Sequence, residues 1–146
     1  MGQPFKSYRD LQVWQRSMAV AREVYGLTNH FPGEERFGLI NQMRRCAVSI
    51  PSNIAEGHAR LGAGEFQHFL SIAMGSVAEL ETQITLSVDL GFMQPSPSDH
   101  PLSELDTLGR MLRGLLKSLA KKRSSETCGA RARQTAARLR TQVFFT

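Results

Sequence analysis

The sequence predicts an all-α fold: an antiparallel up-and-down four-helix bundle with a proline-kinked second helix. Three observations carry that prediction. Apolar residues recur at three- and four-residue spacing through four segments, strand-type alternation is nearly absent, and most of the breaks between segments are short.

In the first segment Leu11, Trp14, Met18, Ala21 and Tyr25 form a helical stripe, widened by Val13, Val20, Val24 and Leu27. Asp10 suits its positive end, and "NHFPG" stops it because the residue before Pro32 is pushed out of the helical region. The second helix is predicted from about Glu34 to Ala59, with Phe37, Ile40, Met43, Ala47, Ile50 and Ile54 on one face. Pro51 has no N–H to donate and its ring crowds the carbonyl of Ala47, so a kink is predicted there. Ser49 and Ser52 stand beside the freed backbone groups. "RLGAGE" punctuates, and the third helix runs from about Gly64 to Leu90 with Phe66, Phe69, Ala73, Val77, Leu80, Ile84 and Leu90 or its neighbours inward. "GFMQPSPSDHP" reads as a loop. The fourth helix then starts between Asp99 and Ser103 and carries the heptad-like seam Leu105, Leu108, Leu112, Leu115 and Leu119.

At 146 residues the chain is long enough for one domain with its own core. It has no apolar run of membrane-spanning length, no signal-type segment near "MGQPFKSYRD", and a poor myristoylation context after Met1-Gly2, so the expected location is the cytoplasm with no membrane partner. Two unpatterned cysteines make neither a disulfide framework nor a zinc site; Cys46 reads as a small core residue and Cys128 as an exposed thiol. The net charge of +5 is unevenly spread. Residues 117–146 hold Lys117, Lys121, Lys122, Arg123, Arg131, Arg133, Arg138 and Arg140 against Glu126, whereas the first 116 residues are slightly acidic. The predicted division is a bundle over 1–123 and a basic tail over 124–146, flexible or docked. Val143, Phe144 and Phe145 are apolar for a free tail, which suggests docking on the bundle or on a neighbouring subunit.

The stretch "CAVSIPSNIAEGHAR" interleaves polar and apolar residues around the proline. Asn53, Glu56 and Arg60 share one helix face, with Arg44 and Arg45 about two turns earlier. A structural polar network at the kink is predicted from Arg44, Ser49, Pro51, Asn53, Glu56 and Arg60, favoured over a functional pocket because such networks commonly fix helix register.

The segments "DLQVWQ", "VYGLTNHFPGEERFGLINQMRRCAVSIPSNIAEGHAR" and "EFQHFLSIAMGSVAELETQITLS" occur in order over about residues 5–120. They resemble the bacterial four-helix-bundle proteins encoded within intervening sequences of large-subunit (23S) ribosomal RNA genes, and the SIPxNIAEG element is the most distinctive part. More distantly, the chain is similar to the accessory bundle protein of diversity-generating retroelements, a basic pentamer that binds nucleic acid and a reverse transcriptase. The resemblance implies a homo-pentameric bundle and brings no catalytic residues with it; residues 121–146 fall outside it.

Catalytic chemistry finds little support. A di-metal bundle site wants two Glu-x-x-His pairs, and only Glu65 and His68 have that spacing; His58 follows Glu56 by two, and His30 and His100 fall in predicted loops. There is no G-x-S-x-G or P-loop motif, and Gly75 and Ser76 read as small residues that let helices pack closely. The expectation is a non-enzymatic protein without metal or cofactor. Two readings follow. One is an oligomeric RNA- or DNA-binding module, with Arg44, Arg45, Arg60, Arg110, Arg113, Lys121, Lys122 and Arg123 as phosphate contacts and no stacking on bases. The other is an oligomeric scaffold for a protein partner, favoured by apolar stripes wider than one bundle core needs.

Overall fold

The computed structural model describes residues 7–142, and their side chains through Gln134. Within that span the regular structure is helical: α1 Gln12–Thr28, α2 Leu39–Ala59, α3 Ala63–Asp89 and α4 Pro95–Gln142. The predicted docking of Val143, Phe144 and Phe145, and the signal and acylation readings of the first six residues, lie outside the described residues.

The packing is that of a four-helix bundle. α1 packs beside α2 and α4, α3 packs beside α2 and α4, and the backbones of the diagonal pairs stay further apart among the described residues. Side-chain pairs fix the directions. Arg16 meets Glu104 while Glu23 meets His100, so α4 descends as α1 rises. Met43 meets Ser87 while Cys46 meets Ser76, and Gln67 meets Leu116 while Val77 lies beside Gly109. Neighbouring helices are therefore antiparallel.

The core of α1 is not the stripe that its largest side chains mark. The fully inward positions are Val13, Ser17, Val20, Val24 and Thr28, each four or three apart. Ser17 and Thr28 are tolerated there because each hydroxyl donates at 2.8 Å to a carbonyl of its own helix, Trp14 and Val24 respectively. Trp14 and Met18 sit half-buried to one side, and Tyr25 is exposed. The capping box of Ser7 and Asp10 closes a short 3-10 turn, Tyr8–Asp10, just before the helix.

α2 begins later than predicted. Residues Gly33–Phe37 form a separate 3-10 turn, and Glu35 Oε2 accepts from the Leu39 N–H at 2.9 Å, taking up a donor that the new helix leaves unpaired. Phe37 lies in that turn and is exposed, not inward. Leu39, Met43, Cys46, Ala47, Ile50 and Ile54 make the buried face, and the helix runs unbroken through Pro51, itself buried. Gly57 allows a close approach of α2 to α3: a Cβ there would stand 2.6 Å from Phe69 Cβ. By contrast Gly75, expected to allow close packing, faces open space.

α3 ends in a Schellman cap. Gly91 takes φ +74°, its N–H bonds Val88 O, and the Phe92 N–H returns to Ser87 O. Of the positions expected inward there, Leu90 is exposed while its neighbours Ser87 and Val88 turn to the core.

The fourth helix differs most from expectation. It starts at Pro95, inside the expected loop, because first-turn N–H groups have no intrahelical partner and proline at 95 and 97 forfeits nothing. Pro101 does forfeit a bond, yet Ser98, Pro101, Leu105, Leu108 and Leu112 are all buried against the other helices. His100 accordingly lies in a helix. At the other end α4 does not stop near Ser124 but continues to Gln142. Ser124 and Thr127 donate to Ala120 O and Arg123 O within it. Gly129 costs such a helix only about 1 kcal/mol, and alanines around it are the best helix formers. The hydrophobic core ends at Leu119, and beyond Arg123, which bonds Gln67 of α3, α4 extends past the core as an arm.

Candidate functional site

The basic candidates separate into committed and exposed groups. Arg44 faces α1: its guanidinium bonds Thr28 Oγ1 and Asn29 Oδ1 and stacks 4.7 Å over the Tyr25 ring. Arg60 pairs with Glu56 at 2.8 Å and lies over Phe69; Glu56 raises the guanidinium pKa further above its ordinary value. Arg123 donates to Gln67 Oε1 at 2.8 Å where α4 passes the start of α3. Arg45 is exposed on the outer ridge of α2.

The other candidates lie together on α4. Arg110, Arg113 and Lys121 are exposed, and Lys117 stands between them. Their spacing of three, four and four residues puts all four on one helix face, at angular positions within about a quarter turn. One acid, Asp106, sits at the stripe's upper end and holds Arg110 at 2.8 Å. Lys122 is exposed on a different side of the same helix. The sequence gives Lys117 only as part of the charge count. Its register with Arg110 and Arg113 already follows from a helix running through Leu119, and the structure adds that all three are exposed.

The residues around the proline do not form one network. Asn53 Nδ2 donates to Ser49 O at 2.7 Å, and Ser49 Oγ stands 2.6 Å from Cys46 O and 2.7 Å from Ser76 Oγ, so these side chains tie α2 to α3. Ser52 donates to Val48 O. The Glu56–Arg60 pair is about half exposed, and Arg44 belongs to the α1 contact. Pro51 points the other way, into a groove between α1 and α2.

That groove is open, about 610 Å³, and mostly apolar, lined among others by Tyr8, Trp14, Met18, Tyr25, Val48 and Pro51 with Arg22 at its edge. On the opposite flank of α2 a polar groove holds Gln42, Arg45, Ser49, Asn53, Ser76 and Glu79. Beneath it Cys46 is buried, and burial, reinforced by the charge and hydrogen bond of Glu79, pushes its thiol up to about 12. Such a thiol is a poor nucleophile. Gln83 donates to Glu79 but its own Oε1 is buried without a partner.

Among the described residues no three His, Cys, Asp or Glu side chains cluster as metal ligands, and no helix is long and apolar enough to cross a membrane. Glu65 and His68 are exposed at the start of α3, where His68 packs edge-on against Phe69.

Comparison with known proteins places this geometry. A family model described as 23S rRNA-intervening sequence protein matches residues 9–114. A solved structure from Bacteroides thetaiotaomicron, a protein with unknown function from the S23 ribosomal protein family, is similar with a TM-score of 0.65 at 19% identity. The match covers 72% of this chain and 98% of that one, and supports the bundle alone. No curated protein matches the chain. The matched region includes α1 to α3 and the first part of α4, and leaves the arm outside.

Proposed function

The chain belongs to the 23S rRNA-intervening sequence protein family, and from that premise we propose that it is a non-enzymatic, homo-oligomeric nucleic-acid-binding bundle whose phosphate-contacting surface is the outer face of α4. One observation carries this reading: Arg110, Arg113, Lys117 and Lys121 line one exposed face of the helix whose extension also holds Arg131 and Arg133. A rigid row of cations attracts a phosphate backbone regardless of sequence and releases counterions on contact. No aromatic residue interleaves the row, so bases are not stacked on it. Oligomerisation is supported by large apolar side chains exposed along three helices, Tyr25, Val48, Ile72 and Leu86, and the resemblance makes a pentamer the expected assembly.

Light scattering and a salt titration of binding to a short duplex test both parts. The full chain is expected to have a multiple of the 16.3 kDa chain mass and to bind with a steep salt dependence. Replacing Arg110, Arg113, Lys117 and Lys121 together with Gln should flatten the log–log slope by about 3–4, since each phosphate left without its cation lowers the slope by about 0.9. No binding at low salt overturns the nucleic-acid reading. The apolar groove between α1 and α2 then favours the second one, an oligomeric scaffold for a protein partner.

A further inference from the structure

The α1–α2 groove and the end of α4 make complementary halves of one contact. The groove is a trough of aromatic and aliphatic side chains, Tyr8, Trp14, Met18, Tyr25, Val48 and Pro51, and nothing from the described residues of its own chain covers it. Directly after the last described residue of α4 stand Val143, Phe144 and Phe145, three consecutive large apolar residues at the end of an otherwise basic and polar arm. Taking such side chains out of water is the main driving force of association, and an apolar trough is the surface that accepts them.

Reach decides which molecule's groove can receive the segment. α4 leaves the bundle beyond Arg123, which still touches the start of α3 through Gln67. From there the helix carries Gln142 about 28 Å further out, at roughly 1.5 Å per residue. Phe145 lies three residues past Gln142, and fully extended chain covers no more than about 11 Å in that distance. The groove begins at the same end of the bundle from which the arm departs, where Trp14 and Ala55 face each other, and it runs back away from the arm. The chain's own Phe144 and Phe145 therefore fall short of it. A second copy, placed alongside, brings its arm within range.

We propose that Val143, Phe144 and Phe145 of one copy occupy the α1–α2 groove of another, making the basic arm an exchanged connection between subunits. The inference rests on the homo-oligomer reading above and assigns a surface and an occupant to it.

Trp14 is the single tryptophan of the chain and lines the groove, so its emission reports occupancy directly. Three samples suffice: the full chain, a chain lacking residues 143–146, and a full-length Trp14→Phe chain. Removing residues 143–146 is expected to shift Trp14 emission to the red and lower the oligomer mass. Mixing that truncated chain with the Trp14→Phe chain should restore the blue emission, because only the intact tail of the dark partner can supply it. A full chain that is monomeric by light scattering removes the homo-oligomer reading and this inference with it. An oligomer whose Trp14 emission ignores the truncation overturns the inference alone and leaves the groove to the first six residues or another partner. A shift that mixing fails to reverse means docking within one chain, which also overturns it.

Discussion

Arg44 reaches back sixteen residues to Thr28, donating from Nε to its Oγ1 at 2.9 Å, while the same hydroxyl donates to Val24 O at 2.8 Å. Thr28 is 1% exposed, so the guanidinium satisfies a buried oxygen at the point where α1 ends, and two further contacts to Asn29 and Tyr25 hold it there. The charge that the sequence offers to a phosphate is used instead to join α1 to α2.

Replacing Arg44 with Lys should therefore cost stability and spare binding. Lysine keeps the charge but not the planar fork that meets Thr28 and Asn29 together. The expected loss is about 1–2 kcal/mol, read from the urea midpoint, since hydrogen bonds to charged groups contribute about that much. The salt slope for a nucleic-acid duplex should not move; a decrease of about one would return Arg44 to the phosphate contacts.

Two glycines should respond in opposite directions. Gly57→Ala places a methyl 2.6 Å from Phe69 Cβ, a backbone-anchored atom that cannot swing aside, so α2 and α3 must separate. Overpacking of this kind costs about 1–3 kcal/mol. Gly75→Ala meets nothing within 4 Å and should stabilise by about 0.5–1 kcal/mol through helix propensity. Thermal melts of the two variants check both signs, and a silent Gly57→Ala would show that the interface relaxes freely.

Around the proline, Asn53→Ala and Glu56→Ala should separate although the sequence groups them. Glu56 holds Arg60 at the surface, and removing it should change stability by less than about 0.5 kcal/mol. Asn53 braces the turn whose Ser49 hydroxyl meets Ser76, so its loss should cost about 1 kcal/mol. Equal losses in chemical denaturation would restore the single buried network.

The two thiols should differ in reactivity and in pH dependence. Cys128 is exposed and should react with a disulfide reagent in the folded protein, whereas Cys46 should react only after unfolding. The Cys46 thiol ionises near 9.0 in the unfolded chain but near 12 when folded. Unfolding between those values releases a proton, so its contribution is intact below pH 9 and is lost as pH rises toward 12. A Cys46→Ala variant should show a shallower decline than the parent across that window; parallel curves would mean the thiol is not coupled to folding.

The number and order of helices were legible because heptad-like leucines and helical periodicity survive in every segment. On the inward face of α1, Leu11, Val13, Val20, Ala21 and Val24 were legible as apolar positions, whereas Ser17 and Thr28 were not because they are polar, and Tyr25 of the same stripe is exposed. The start of α4 was hidden by prolines that are harmless in a first turn, and its continuation by Gly129, whose local cost the neighbouring alanines outweigh. For the candidate site, the sequence identified the cations singly. The partners of Arg60 and Arg110, Glu56 and Asp106, lie four residues before them and are within reach of a spacing rule, whereas those of Arg44 and Arg123, Thr28 and Gln67, are tertiary contacts that no spacing rule exposes.

The length of α4 has a hydrodynamic consequence. A helix running from Pro95 to Gln142 spans about 72 Å at roughly 1.5 Å per residue, far more than α1 beside it. An isolated chain would drag this rod through solvent and run ahead of a sphere of equal mass on a sizing column. Folding the same rods against one another would remove much of that friction. Assembly should thus increase sedimentation velocity by more than the added mass alone provides, and the frictional ratio becomes a gauge of whether the arms are free or shared.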